Sequence, residues 1–102
     1  MADLGNLMKQ AQELQERLSQ VQESVARQTV DAAAGGGMVK VTVNGKHEIV
    51  ALTIEPAVLK EDVELVQDLV LAAVNEGIRN AQKMVADEMT KVAGGLKIPG
   101  IG

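Results

Sequence analysis

Two pairs of basic side chains have the type and spacing to do chemistry. Lys9 and Arg17 lie eight residues apart and Arg79 and Lys83 lie four apart, so each pair shares one side of a helix if its segment is helical. Lysine and arginine donate charged hydrogen bonds to phosphate and carboxylate oxygens. Pattern alone favours a solvated surface on which these cations balance neighbouring glutamates. The alternative is phosphate binding by a two-fold dimer, which would present each small pair twice.

The overall charge limits which kinds of nucleic-acid binder this chain could be. Its formal net charge is −4, and residues 61–102 carry seven acidic against four basic groups. That balance argues against a protein that is basic over its whole surface. The chain also lacks Phe, Tyr and Trp, so no such ring is available for a base to stack on. Any nucleic-acid contact is therefore expected to involve the phosphate backbone and to weaken strongly with salt.

Residues suited to catalysis or metal binding are scarce. There is no cysteine and His47 is the only histidine, so a transition-metal site would depend on carboxylates alone. Glu61, Asp62 and Glu64 are explained by the preference of a first helical turn for acidic residues. The segment AAAGGGM lacks the Lys-Ser/Thr pair and the following helix of a phosphate-binding loop. We expect no enzyme activity, no cofactor, no metal and no small-molecule substrate, with His47 exposed on a strand.

Neither a membrane segment nor a secretory signal is indicated. The longest unbroken apolar run is VLAAV at residues 70–74, far below the roughly 20 residues that span a bilayer. No basic segment followed by an apolar one opens the chain. We therefore expect a cytoplasmic protein without a membrane partner, which the absence of cysteine also fits.

Heptad spacing predicts a long first helix. The apolar residues recur at alternating intervals of three and four, which is the a/d seam of a coiled coil held for about three heptads. The seam consists of Leu4, Leu7, Ala11, Leu14, Leu18, Val21 and Val25. Asp3 is suited to the N-cap, and Met8 widens the seam near its start. A helix over residues 3–27 would be about 36 Å long.

Alternating residues then predict three antiparallel strands. RQTVDAAA is a weak edge strand, three glycines break it, and MVKVTV places its valines on one face. Asn44-Gly45 predicts a two-residue type I′ turn. HEIVALTIE returns with three apolar residues in phase with those valines: Val50, Leu52 and Ile54.

A second long helix is predicted after the strands. Pro56 ends the third strand, AVLK forms one helical turn, and a broad apolar stripe favours a helix from about Asp62 to Val92, ending at Gly94-Gly95. This helix would extend about 46 Å, whereas a compact domain of this size has a radius of gyration of about 13 Å. The two helices must project from the sheet or pair with a second copy. We predict a homodimer with an α+β fold, each chain a single domain over residues 1–102 with a flexible tail at 96–102.

Three segments of the sequence are similar to the YbaB/EbfC family of bacterial nucleoid-associated proteins. The similarity covers roughly residues 4–100 with the segments in the family's order. The segments are LGNLMKQAQELQERL, GGGMVKVTVNGKHEIVALTIEPAVL and ELVQDLVLAAVNEGIRNAQKMVADEM.

The resemblance implies a fold, an assembly and a function. The fold is α-β-β-β-α and the assembly is an intertwined, tweezer-like homodimer. The function is binding of double-stranded DNA with little sequence preference, in nucleoid organisation and gene regulation. The resemblance implies DNA contacts for Lys9 in LMKQAQ and Arg79 in NEGIRNA, also for Arg17, and by weaker correspondence for Lys83. The alternative interpretation is a dimeric protein-interaction scaffold or chaperone-like clamp without a nucleic-acid partner, for which the thin glutamine-rich seam and the methionines argue.

Overall fold

The predicted order of elements is confirmed. The structure is a computed structural model that describes residues 3–95, with side chains to residue 92. Its elements are α1 (Leu4–Arg27), β1 (Thr29–Ala34), β2 (Val39–Asn44), β3 (Ile49–Ile54), a 3-10 turn (Pro56–Lys60) and α2 (Val63–Gly95). α2 includes both glycines at which the sequence predicted its end. The tail predicted to be flexible, residues 96–102, lies outside the described residues.

The N-cap at Asp3 and the extended backbone at Gln28 define the limits of α1. The Asp3 carboxylate accepts a hydrogen bond from the backbone N–H of Asn6 at 3.2 Å, as expected of an N-cap. Arg27 lies in the last turn, where a cation is favoured by the helix dipole, and Gln28 is already extended. Along the seam only Val25 is buried, while Leu4, Leu7 and Leu14 remain exposed. The first helix is therefore held by its C-terminal end.

The sheet has the order β1-β2-β3 with antiparallel pairs throughout. The three valines of β2, at positions 39, 41 and 43, are buried on the face that α2 covers. Leu52 and Ile54 lie opposite Val41 and Val39, as predicted. Ile49, and not Val50, pairs with Val43, because a bulge interrupts the ladder there.

The prediction of a two-residue type I′ turn at Asn44-Gly45 is wrong. Gly45 and Lys46 form the centre of a turn closed by a hydrogen bond from the His47 N–H to the Asn44 carbonyl at 2.9 Å, and His47 itself has φ of 64°. His47 is thus exposed in a three-residue loop rather than on a strand. Residue 45 must be small for another reason: a Cβ there would collide with the Val25 carbonyl oxygen.

Small residues let α2 approach the sheet closely. Ala73, Gly77 and Ala81 recur every four residues and are buried. A Cβ on Gly77 would lie 2.8 Å from Val41 Cγ2, closer than carbon atoms pack. At the outer edge of β1, the side-chain amide of Asn80 donates to the Asp31 carbonyl at 3.2 Å. These contacts fix α2 over β1 and β2.

The helices extend well beyond the sheet. The described residues measure 74 × 25 × 15 Å, and their radius of gyration is 20.3 Å against about 13 Å for a compact domain. The hairpin loop after β2 and the start of β1 lie at one end of the sheet, and α1 projects from that end. Ile49, Val50 and Leu52 of β3 remain exposed, since α2 packs on β1 and β2. Of the two arrangements that the helix lengths allowed, projection from the sheet is the one seen in the single chain.

Candidate nucleic-acid interface

Lys9 and Arg17 lie on the free part of α1. Both are exposed, and among the described residues neither forms an ion pair. At 100° per residue Lys9 points away from the apolar seam, and Arg17 lies about 80° further round the helix. Glu13 and Glu16 share this surface, so the local charge is balanced rather than strongly positive. The two cations can reach an anion without giving up an existing partner.

Arg79 and Lys83 occupy a more acidic surface on α2. Arg79 donates to the Glu76 carboxylate at 2.8 Å, with its side chain still 64% exposed. Lys83 lines a groove with Asp31, Asp87 and other residues near the outer edge of β1. An exposed pair of this kind contributes about 0–1 kcal/mol, so Arg79 can exchange Glu76 for another anion at little cost. A ligand of Lys83 would meet three carboxylates in this groove: Asp31, Asp87 and Glu88.

The four predicted residues do not form one patch within a single chain. Arg27 lies at the end of α1 next to the sheet, and Lys9 lies about 27 Å further along the helix. Arg79, in contrast, is next to Asn80, which contacts β1. The pairs on α1 and α2 therefore act separately in one chain. A second copy of the chain would place both pairs twice along one ligand.

Two further cations were missed by the sequence reasoning. Arg27 and Lys46 line one groove of about 400 Å³ between the last turns of α1 and the β2–β3 loop. A partial signal was present in the sequence: Arg27 follows Lys9 by eighteen residues, which is five complete helical turns. The position of Lys46 depends on how the hairpin loop packs against α1, and no local pattern specifies that.

The described part of the chain offers little else for chemistry. It contains no group of three or more His, Asp or Glu side chains placed to hold a metal ion. Of the helices found in residues 3–95, none is long and apolar enough to cross a membrane.

Comparisons with known proteins match the whole fold. A family model described as the YbaB/EbfC DNA-binding family matches residues 1–96. A nucleoid-associated protein of Thermoanaerobacter sp. strain X514 is 52% identical over 100 residues, covering 97% of this chain and 90% of the relative. One from Caldanaerobacter subterraneus is 49% identical, with the same coverage. The crystal structure of an uncharacterized Helicobacter pylori protein superimposes with a TM-score of 0.76 at 26% identity, covering 91% of this chain and 99% of that one.

These comparisons confirm the resemblance noted in the sequence. The family description and the relatives' names denote DNA-binding and nucleoid-associated proteins, not enzymes. The chain belongs to the YbaB/EbfC DNA-binding family.

Proposed function

We propose that this protein is a homodimer that binds double-stranded DNA through its phosphate backbone, with little sequence preference, and acts in the bacterial nucleoid within the cytoplasm. The observation that carries the proposal is the free α1 arm with Lys9 and Arg17 exposed and unpaired within the described residues. Arg79 and Lys83 on α2 are the second contact. The relatives named nucleoid-associated proteins support the location, and the role that we propose there is in organising DNA and regulating genes.

An apolar surface supports the dimer. Asn80 faces the outer edge of β1 and Gly77 faces β2, so the next stripe round α2 lies on the side of β3. That stripe contains Leu71, Ile78, Val85 and Met89, about 100° from the line through Gly77. Leu71 is 60% exposed and Leu52 of β3 is 49% exposed.

A second copy of the chain would cover this surface. Leu71 on α2 and Leu52 on β3 are exposed on the side of the molecule that α2 leaves open, and neighbouring exposed apolar residues mark interaction surfaces when they form a patch. A two-fold axis beside α2 would pack the two α2 helices against each other and against β3. The same operation would present Lys9, Arg17, Arg79 and Lys83 twice to one duplex.

The residue types at the interface favour backbone contacts over base recognition. The chain has no Phe, Tyr or Trp on which a base could stack, and the proposed contacts are lysine and arginine side chains, whose charged donors suit phosphate oxygens. Phosphate contacts position a protein on DNA but carry no direct sequence information. Low sequence preference follows from this.

The proposal is tested by titrating two fluorescent duplexes of unrelated sequence with the protein, alongside light scattering of the free protein. We expect a dimer in scattering and two dissociation constants within a few-fold of each other. Charge reversal at Lys9, Arg17 and Arg79 together should abolish binding and leave the dimer intact. A dimer that fails to bind either duplex would support the second candidate, a protein-interaction scaffold, which is favoured by the exposed seam residues Leu4, Leu7 and Leu14.

A further inference from the structure

A groove at the base of α1 contains cations that the proposed function has not used. Its lining comes from the last turns of the helix and from the hairpin loop, and encloses about 400 Å³. The lining residues are Ser19, Gln22, Glu23, Ala26, Arg27 and Lys46. Four of the six side chains can donate hydrogen bonds, two of them with a positive charge.

The hairpin loop is held firmly against α1. The Gly45 N–H donates to the Gln28 carbonyl at 3.0 Å, and the bare Cα of Gly45 lies against the Val25 carbonyl. The Asn44 side-chain oxygen accepts from the backbone N–H groups of Lys46 at 2.9 Å and Glu48 at 3.0 Å. The backbone of Lys46 is therefore positioned next to the last turn of α1 before any ligand arrives, which lowers the entropic cost of binding.

The backbone conformation of His47 is a second indication that surrounding contacts fix the geometry of this loop. Its φ of 64° lies in the left-handed region, and it is the only non-glycine residue among those described to adopt it. Such a conformation costs on the order of 1 kcal/mol and persists only where surrounding contacts impose it. Here the contacts are the hydrogen bonds through Asn44 and the packing of Gly45 on α1. These contacts stabilise the loop conformation that presents Lys46.

The charges around the groove leave both cations available. Within residues 3–92 neither Arg27 nor Lys46 forms an ion pair. Glu23 is the one carboxylate in the lining, and the nearby Glu48 carboxylate accepts from the Asn44 side-chain amide at 3.4 Å. Two cations, a hydroxyl and a carboxamide line this groove, and their donors can bind the oxygens of a phosphate group.

The position of the groove points to a duplex rather than to a free anion. Arg27 and Lys9 lie on one line of α1, about 27 Å apart, which is the length of about eight base pairs at 3.4 Å each. Glu13, Glu16 and Glu23 lie on the same side between them, so phosphates are held at the two ends of this line and not along it. We propose that Arg27 and Lys46 form a phosphate-binding site for the DNA backbone at the base of α1. This inference depends on the proposed DNA binding.

Lys46→Glu and Lys60→Glu are the matched pair of variants that tests it. Both lysines are exposed and both substitutions change the net charge equally. Lys60 ends the 3-10 turn that follows β3, and β3 ends beside Met38, so it lies at the opposite end of the sheet from Lys46. The readout is duplex affinity over a range of salt concentrations, with circular dichroism melting of each variant.

Lys46→Glu is expected to weaken duplex binding about tenfold at 0.1 M salt and to reduce the salt slope by about 0.9 for each phosphate that is no longer bound. Lys60→Glu should stay within about twofold of the unmodified chain, and Arg27→Gln should act in the same direction as Lys46→Glu. Lys46→Glu and Lys60→Glu should melt like the unmodified protein, since neither lysine is paired in the described residues. Arg27→Gln should melt slightly lower, because it removes a cation from the last turn of α1.

Three results would overturn the inference. If the unmodified chain binds DNA but the two lysine variants have equal effects, or neither has an effect, the site is excluded. The proposed function would then still stand. Binding of poly-glutamate that depends on Lys46 while DNA binding does not would assign the groove to an acidic protein partner. Failure of the unmodified chain to bind any duplex would overturn both the site and the proposed function.

Discussion

A Cβ atom placed on Gly77 would lie 2.7 Å from Cγ2 of Val43. The closest approach of α2 to the sheet therefore depends on the absence of one side chain. Val43 is fully buried and β-branched, so its methyl groups have little freedom to move aside. The orientation of α2, and with it that of Arg79 and Lys83, depends on this contact.

Gly77→Ala should lower the free energy of unfolding by about 1 kcal/mol. Overpacking costs roughly 1–3 kcal/mol, and the better helix propensity of alanine returns up to about 1 kcal/mol. Urea denaturation at fixed protein concentration measures the difference. Gly5→Ala is the control, because its Cβ would meet only Asp3 Oδ1 at 3.4 Å and should cause no loss. Equal stability of the two variants would show that the close packing at residue 77 is not needed.

The helices and the sheet could be predicted because their signals are local. The heptad seam of α1 and the alternating valines of β2 each require only neighbouring residues in the sequence. The hairpin loop could not be predicted, because Gly45 is required by its contact with Val25, a residue in another element. Asn-Gly is typical of a type I′ turn, and here tertiary packing selects a different loop.

Some residues of the candidate site could likewise be predicted from local sequence patterns, and others could not. Exposure of Lys9 and Arg17 follows from their positions off the apolar seam, and the Arg79–Glu76 pair is an i, i+3 contact that a helical pattern contains. The groove with Arg27 and Lys46 needs the hairpin to pack on α1, and no periodicity encodes that. The apolar surface left open on β3 also depends on where α2 crosses the sheet.

Variants at two neighbouring residues of β3 can test which face of the sheet forms the proposed dimer interface. Leu52 lies on the α2 side of the sheet and Thr53 on the other, and both are exposed in the single chain. Leu52→Asp should shift the protein toward monomer, because a desolvated carboxylate would be unpaired in an apolar contact. Thr53→Asp should leave the dimer unchanged. Sedimentation over a range of concentrations gives the answer, and equal behaviour of the two variants would exclude β3 from the interface.

Glu76→Gln should strengthen DNA binding. The substitution releases the Arg79 guanidinium from its 2.8 Å pair and removes a negative charge from the proposed contact surface. Stability should change by at most about 1 kcal/mol, as the pair is exposed. Duplex titration at 0.1 M salt compares this variant with Glu61→Gln, which removes the same charge at the turn before α2. An equal gain in both would reflect net charge alone and would remove Arg79 from the interface.

Lys9→Glu and Arg17→Glu should each weaken binding to all duplexes by a similar factor, since phosphate contacts do not depend on sequence. Neither residue contacts the rest of the chain through an ion pair among those described, so melting temperatures should be unchanged. Competition between duplexes of different sequence provides the measurement. A variant with weaker affinity for one sequence only would indicate base recognition by α1.

The most direct test of the account is the dependence of duplex affinity on salt concentration for the unmodified protein. The four cations of the proposed function, Lys9, Arg17, Arg79 and Lys83, give up to eight phosphate contacts in two copies of the chain. Each contact contributes about 0.9 to the slope of log K against log salt concentration. We predict a linear decrease with a slope steeper than about −3, equal for duplexes of unrelated sequence. Affinity that does not change with salt, or no binding at any salt concentration, would contradict DNA binding through the phosphate backbone.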